Sequence, residues 1–177
     1  MRRLRYSVAA SLDGFIAGPL GDYDWIVMDP AIDFAALFAQ FDTLVMGRKT
    51  FEVMQQGQGG AGEMPGLQVV VFSRTLAASD YPAVTIVKDD PARYVRELKL
   101  REGKDIWLFG GGELFRLLLD AWLVDTIEVG LMPILLSEGI PLLPPGRRSP
   151  PLKLTKSDTL QSGIVMLSYD VPNTRES

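Results

Sequence analysis

Apolar positions in this chain fall into short runs, and amphipathic stretches alternate with them along most of its length. Leu4–Ala10 is apolar and partly alternating, which predicts a first strand. After the turn Ser11-Leu-Asp-Gly14, Phe15–Ala17 briefly resumes it. Asp42–Gly47, Leu67–Phe72, Val84–Val87 and Ile106–Phe109 are near-continuous apolar runs, the pattern of strands buried on both faces of a sheet. Thr126–Leu131 predicts a further strand. Leu152–Leu160 and Gly163–Val171 flank Gln161-Ser162 and predict a closing antiparallel hairpin.

The intervening stretches carry helical spacing. Asp29-Pro30 predicts a helix start, with Phe34, Leu37, Phe38 and Phe41 forming one apolar stripe at i, i+3, i+4, i+7. Arg48–Met54 predicts a helix opening directly from Gly47. Asp90-Pro91 predicts another capped helix, with Tyr94, Val95 and Leu98 on its inner side. Glu113–Val124 predicts a deeply packed helix, apolar except for the stripe Glu113, Arg116 and Asp120. Strands alternating with helices predict an α/β fold: three layers, α/β/α, with a mostly parallel mixed central sheet and a C-terminal antiparallel hairpin. Residues 1–172 are expected to form a single domain, followed by a frayed tail at 173–177. Gln55–Gly66 and Ser137–Pro151 read as surface loops. The Gly/Pro-containing loop Gly18–Asp24, ending at Trp25, is either a plain connector or a lid over a pocket.

Composition narrows the chemistry. The chain has 177 residues, 47% of them hydrophobic, enough for a full-sized core. It contains no cysteine and no histidine. Disulfides, thiol nucleophiles, Ser-His-Asp triads and histidine-ligated metals are therefore excluded, and no metal site is expected. The net charge of −4 argues against non-specific nucleic-acid binding. The basic start Met1–Arg5 is followed by an apolar stretch that Ser11 and Asp13 break, so no signal-peptide core forms. No run is long enough to span a membrane, and a cytoplasmic protein is expected.

The informative polar residues fall where predicted strands end. In Gly110-Gly-Gly-Glu113, three glycines join a buried strand to a helix. That suits close approach of a pyrophosphate to a helix N-terminus, although a tight turn without a ligand uses the same residues. Gly47-Arg48-Lys49-Thr50, Ser73-Arg74-Thr75 and Lys88 add cations at other strand ends. In an open parallel sheet those ends share one edge, where ligands bind. Arginine at two of them suits a phosphate monoester, such as the 2′-phosphate of NADP. A phosphate loop of the Walker type would need Lys-Ser/Thr after the glycines, and Glu113-Leu114 stands there instead. A Rossmann fingerprint would lack its third glycine at Phe115 and leave Arg48 and Arg74 unexplained.

Five segments in this order carry a resemblance to a known family: Ser11–Ala17 (SLDGFIA), Asp42–Thr50 (DTLVMGRKT), Val69–Thr75 (VVVFSRT), Ile106–Glu113 (IWLFGGGE) and Leu135–Leu143 (LLSEGIPLL). With them the chain resembles the dihydrofolate-reductase-like superfamily, in the branch of the riboflavin-biosynthesis reductase domain. The resemblance implies an NADPH-dependent reductase delivering hydride to a C=N or C=O bond of a small pyrimidine- or pterin-like molecule. It implies that Ala9 and Ile16 flank the nicotinamide. Gly47, Arg48, Lys49 and Thr50 would hold the adenine-side phosphates, and Ser73 and Arg74, with Lys88 nearby, the 2′-phosphate. Gly111, Gly112, Glu113 and Leu114 would hold the pyrophosphate. Trp25, Asp33 and Phe115 are expected on the substrate side, with Asp33 or an ordered water as proton source. It also implies a homodimer. Three positions depart from the folate pattern: Ala31 where a pterin-binding carboxylate aligns, Phe115 for a tyrosine, and Gly130 for a threonine. Two other readings stand beside it, an NADPH-binding protein without turnover and an interaction domain on a decayed reductase fold.

Overall fold

The structure, a computed structural model, describes residues 1–56 and 66–172. Most of the loop expected at Gln55–Gly66 and the tail expected at 173–177 lie outside the described residues. The elements run β1 (Leu4–Ser11), β2 (Phe15–Ala17), α1 (Phe34–Phe38), β3 (Phe41–Gly47), α2 (Arg48–Gln56), β4 (Gln68–Phe72) and β5 (Thr85–Val87). They continue with α3 (Pro91–Leu100), β6 (Asp105–Gly110), α4 (Gly112–Asp120), β7 (Thr126–Met132), β8 (Ile140–Pro141), β9 (Lys153–Thr159) and β10 (Val165–Asp170).

Eight strands form one sheet in the order β5-β4-β3-β6-β1-β7-β10-β9. The first six are mutually parallel, and antiparallel pairing enters only where β10 joins β7 and β9 joins β10. β2 and β8 form a separate two-stranded antiparallel sheet, which the apolar pattern did not disclose because β8 is two residues long.

The sheet separates two apolar clusters. On one face Leu4, Tyr6, Val45, Val70, Ile106, Leu108, Ile127 and Val129 meet Val95 and Leu98 of α3 and Leu114, Phe115, Leu118 and Leu119 of α4. On the other, Leu44, Met46, Val69, Val71 and Trp107 meet Phe51 of α2, with Leu37 of α1 alongside. Alternate residues of the central strands therefore enter different layers, so the runs read as continuous.

Two helix boundaries differ from the sequence expectation. α1 starts after Asp33, not at Asp29-Pro30, because Asp33 is the residue whose carboxylate accepts from the Ala36 N–H at 2.9 Å. Phe41 belongs to β3 rather than to the helical stripe, and Phe38 reaches Trp107 instead, with ring centroids 5.5 Å apart. α4 ends at Asp120, not Val124. Trp122 adopts φ 59°, and the Leu123 and Trp122 N–H groups return to the carbonyls of Leu118 and Leu119 at 3.0 Å each. That is a Schellman-type stop in which tryptophan stands where glycine is usual, so no glycine signalled it.

Tyr6 lies at the centre of the larger cluster, stacked on Phe115 with ring centroids 3.8 Å apart. Its hydroxyl is buried without a hydrogen-bond partner, and burial pushes its phenol up. An orphaned buried hydroxyl costs about 1–3 kcal/mol. Tyr6→Phe should therefore raise stability, by about 1 kcal/mol, seen as a higher denaturant midpoint at unchanged slope. A lower midpoint would show that the hydroxyl is bonded in solution.

Candidate functional site

Parallel pairing brings the residues singled out at strand ends to one edge. Gly47 lies opposite Phe72, and Phe72 opposite Val87, so Arg48, Ser73-Arg74 and Lys88 follow adjacent strands. Met46 lies opposite Gly110, which sets the glycine turn beside the start of α2. A Cβ added at Gly111 would lie 3.3 Å from Thr50 Oγ1, so Thr50 abuts that turn. At Gly47 an added Cβ would meet nothing within 4 Å, leaving open space above the strand end.

The cations of this edge are accessible. Lys49, Arg74 and Lys88 are exposed, and Arg48 is half-exposed, held by Glu52 at 2.7 Å across one helical turn. Ser73 is buried, and its hydroxyl accepts from the N–H groups of Thr75 (3.2 Å) and Leu76 (3.1 Å). Its direct job is to shape the turn that presents Arg74. α4 has Gly111 as its N-cap, and no side chain caps it. Its first N–H groups therefore keep their capacity to bind an anion. The Gly110–Gly111 peptide bond is cis.

Each glycine of the turn has its own reason. An added Cβ at Gly112 would approach the Pro141 carbonyl oxygen at 2.9 Å and Pro144 Cδ at 3.0 Å. Gly112 thus lets β8 and the proline-rich loop lie against α4, rather than serving ligand approach through its own Cα. Leu114 is buried in the core, so only its backbone is available to the edge.

The substrate-side expectations need more correction. Phe115 is only 2% exposed and faces the core against Tyr6, because α4 turns that position to the sheet. It cannot line the edge. Asp33 is exposed and caps α1. Trp25 is half-buried, and its indole N–H donates to the Asp22 carbonyl at 3.2 Å. Ala9 is half-buried opposite Gly130, and Ile16 packs against the larger cluster. The Gly18–Asp24 loop folds on itself: the Gly18 N–H donates to the Asp22 carbonyl at 2.9 Å, and Gly21 to Gly18 at 3.0 Å.

Two carboxylates left without a site role hold the edge together. Asp13 accepts from the Ser11 hydroxyl at 2.6 Å and from the N–H groups of Leu136 (3.1 Å) and Ser137 (2.7 Å). Those donors hold its carboxyl below the usual aspartate value, the Ser11 hydroxyl first. Asp29 is 6% exposed and accepts from the Ala31 N–H at 2.7 Å, with Ser162 of the β9–β10 turn beside it. Ser162 and then Ala31 hold its carboxyl low as well. The signal for Asp13 was available in Ser11-x-Asp13-Gly14, a turn-forming spacing. For Asp29 no local signal existed, since its partner lies at Ser162.

Among the described residues no group of His, Cys, Asp or Glu is placed to hold a metal ion, and no helix is long and apolar enough to cross a membrane. A recess of about 400 Å³ lies at the other edge of the sheet, lined among others by Arg3, Arg5, Glu128 and Asp170. Its charges pair among themselves, Arg5 with Glu128 at 2.7 Å and Arg3 with Asp170 at 2.5 Å.

A family model described as the RibD C-terminal domain matches residues 2–166. Uncharacterized protein YyaP of Bacillus subtilis (strain 168) is 35% identical over 95% of this chain and 94% of its own. The solved structure of a putative riboflavin biosynthesis protein from Shewanella sp. PV-4 superposes with a TM-score of 0.80 at 26% identity, covering 97% of this chain and 99% of that one. A diaminohydroxyphosphoribosylaminopyrimidine deaminase/5-amino-6-(5-phosphoribosylamino)uracil reductase from Thermotoga maritima shares the fold. There the TM-score is 0.70 at 17% identity, over 97% of this chain and 57% of that one.

Because Asp13 and Asp29 hold protons less tightly folded than unfolded, the stability they add is full above the ordinary aspartate value, about 3.9. It is lost as pH falls through and below that value. In denaturation midpoints from pH 7 to pH 3, Asp13→Asn and Asp29→Asn should each flatten the acid slope. Slopes identical to the unsubstituted chain would show that neither carboxylate is held by these bonds.

Proposed function

The chain belongs to the RibD C-terminal domain family, within the dihydrofolate-reductase-like superfamily, and on that premise we propose an NADPH-dependent reductase of a small pyrimidine- or pterin-like heterocycle. One observation carries the proposal. Adjacent parallel strands end in Arg48-Lys49, Arg74 and Lys88 on the same edge as the uncapped start of α4. A ligand with a pyrophosphate and a separate phosphate monoester suits that set of anion-binding groups.

The residues divide the work. The N–H groups of Gly112, Glu113 and Leu114 would hold the pyrophosphate, with Gly111 opening the approach. Arg48, Lys49 and Thr50, beside the open space at Gly47, would hold the adenine-side phosphates. Arg74, on the turn shaped by Ser73, would take the 2′-phosphate with Lys88 near it. Ala9 and Ile16 would flank the nicotinamide, and Trp25 would face the acceptor. NADPH would supply a hydride when bound; the acceptor's C=N or C=O bond would take it together with one proton, leaving NADP⁺. The protein's contribution is to fix the two partners in contact. The proton comes from Asp33 or from water. A homodimer belongs to the same proposal, supported by an edge strand, β9, that is exposed along its whole length.

A second reading, a nucleotide-binding protein without turnover, is favoured by one observation: Asp33 is exposed and already engaged as a helix cap.

Thermal shift should show NADPH stabilising the protein more than NADH at equal concentration. Arg74→Ala should reduce that preference about tenfold or more, the worth of a charge-assisted hydrogen bond. Equal shifts with both nucleotides would remove the 2′-phosphate assignment. Asparagine caps helices as well as aspartate does, so Asp33→Asn should leave stability unchanged. It should lower turnover with little effect on NADPH affinity if Asp33 delivers the proton; unchanged turnover assigns the proton to water.

A further inference from the structure

The edge that collects the proposed cofactor residues is electrically divided. Its β3-β4-β5 half carries Arg48, Lys49, Arg74 and Lys88. The other half is built from three chain segments: the run from β1 through α1, the segment between β7 and β8, and the β9–β10 turn. These are stitched together. The Leu12 N–H donates to the Ile134 carbonyl at 2.8 Å, Asp13 holds Leu136 and Ser137, β2 pairs with β8, and Asp29 holds Ser162. No lysine or arginine occurs between Arg5 and Arg48, between Arg116 and Arg147, or between Lys156 and the end of β10. Asp22, Asp24, Asp33 and Glu138 are exposed on these segments.

What this half offers besides carboxylates is apolar. Ala9 lies opposite Gly130, and Met166 lies opposite Gly130 on the other side. An added Cβ at Gly130 would meet Met166 Sδ at 3.3 Å, Met132 Cε at 3.5 Å and Ile164 Cγ2 at 3.9 Å, so thioether and aliphatic groups fill the place where folate reductases carry a threonine. On the same segments Leu12, Met28 (67% exposed) and Leu135 (64% exposed) stay uncovered.

We infer that the acceptor of this reductase is an uncharged or cationic, flat and largely apolar molecule, and that a phosphorylated acceptor is selected against. The inference rests on the reductase reading and deepens it. A phosphate carried into this half meets carboxylates and apolar side chains, and none of its oxygens finds a cation among the described residues of these segments. Like-charge contact and unpaired desolvation both oppose it. The phosphoribosyl acceptor named for the Thermotoga maritima enzyme is of the disfavoured class. The phosphates of the cofactor are not opposed, because the basic half receives them.

Two measurements test this. Riboflavin and its 5′-phosphate FMN present the same ring system with and without the charge, and NADPH oxidation should favour riboflavin in kcat/KM by about tenfold or more. The double variant Asp24→Lys, Glu138→Lys should bring the ratio several-fold toward FMN. Independently of turnover, Trp25 reports the local potential. In Trp122→Phe protein, where Trp107 is buried, iodide should quench less than caesium, each relative to its quenching of free tryptophan amide. FMN used as well as riboflavin, or iodide quenching on a par with caesium, overturns the inference. Failure of NADPH to bind, with the ion asymmetry intact, overturns the reductase reading while upholding the charge of this half.

Discussion

Six neighbouring strands hydrogen-bonded in one direction must deliver their C-terminal ends to a single edge, and everything chemical in this molecule follows from that polarity. Parallel pairing demands crossovers, most of these crossovers carry helices, and the helices bury both faces of the central strands. The edge is then a place where polar residues meet open space without cutting into a core. Residues as distant in sequence as Arg48, Arg74 and Gly111 become neighbours through strand register rather than through any local motif.

The layered α/β architecture was legible because each buried strand shows as an uninterrupted apolar run and each long helix as a periodic one. Val69–Phe72 and Ile106–Phe109 were unambiguous for that reason, and Asp90-Pro91 marked the start of α3 correctly. Local signals failed where tertiary contacts decide. Asp29 carries the same Asp-Pro signature as Asp90, yet its carboxylate turns to Ala31 and Ser162, and the helix waits for Asp33. Trp122 stops α4 with a positive φ that nothing in its residue type announces.

At the edge itself, the cationic strand ends were readable and the acceptor side was not. Cations at strand ends need only topology to be placed. The face on which Phe115 lies depends on the rotational setting of α4, and that setting is fixed by packing against Tyr6. Asp13 was visible within a matching segment, but its partners at Leu136 and Ser137 lie far along the chain. The paucity of basic residues from Tyr6 to Gly47 was present in the sequence throughout. It acquires meaning only when those residues are seen stitched into one half of the edge.

Gly112 ties the two halves mechanically. Its Cα lies under the Pro141 carbonyl and the Pro144 ring, with no room for even a methyl group. Pro141 belongs to β8, which pairs with β2 beside the acceptor half, whereas Gly112 opens the helix whose uncapped start belongs to the proposed cofactor side. The small sheet therefore rests like a beam on the helix start. Under the proposed function, a displacement of this small sheet would be felt at the helix start that is assigned to the pyrophosphate.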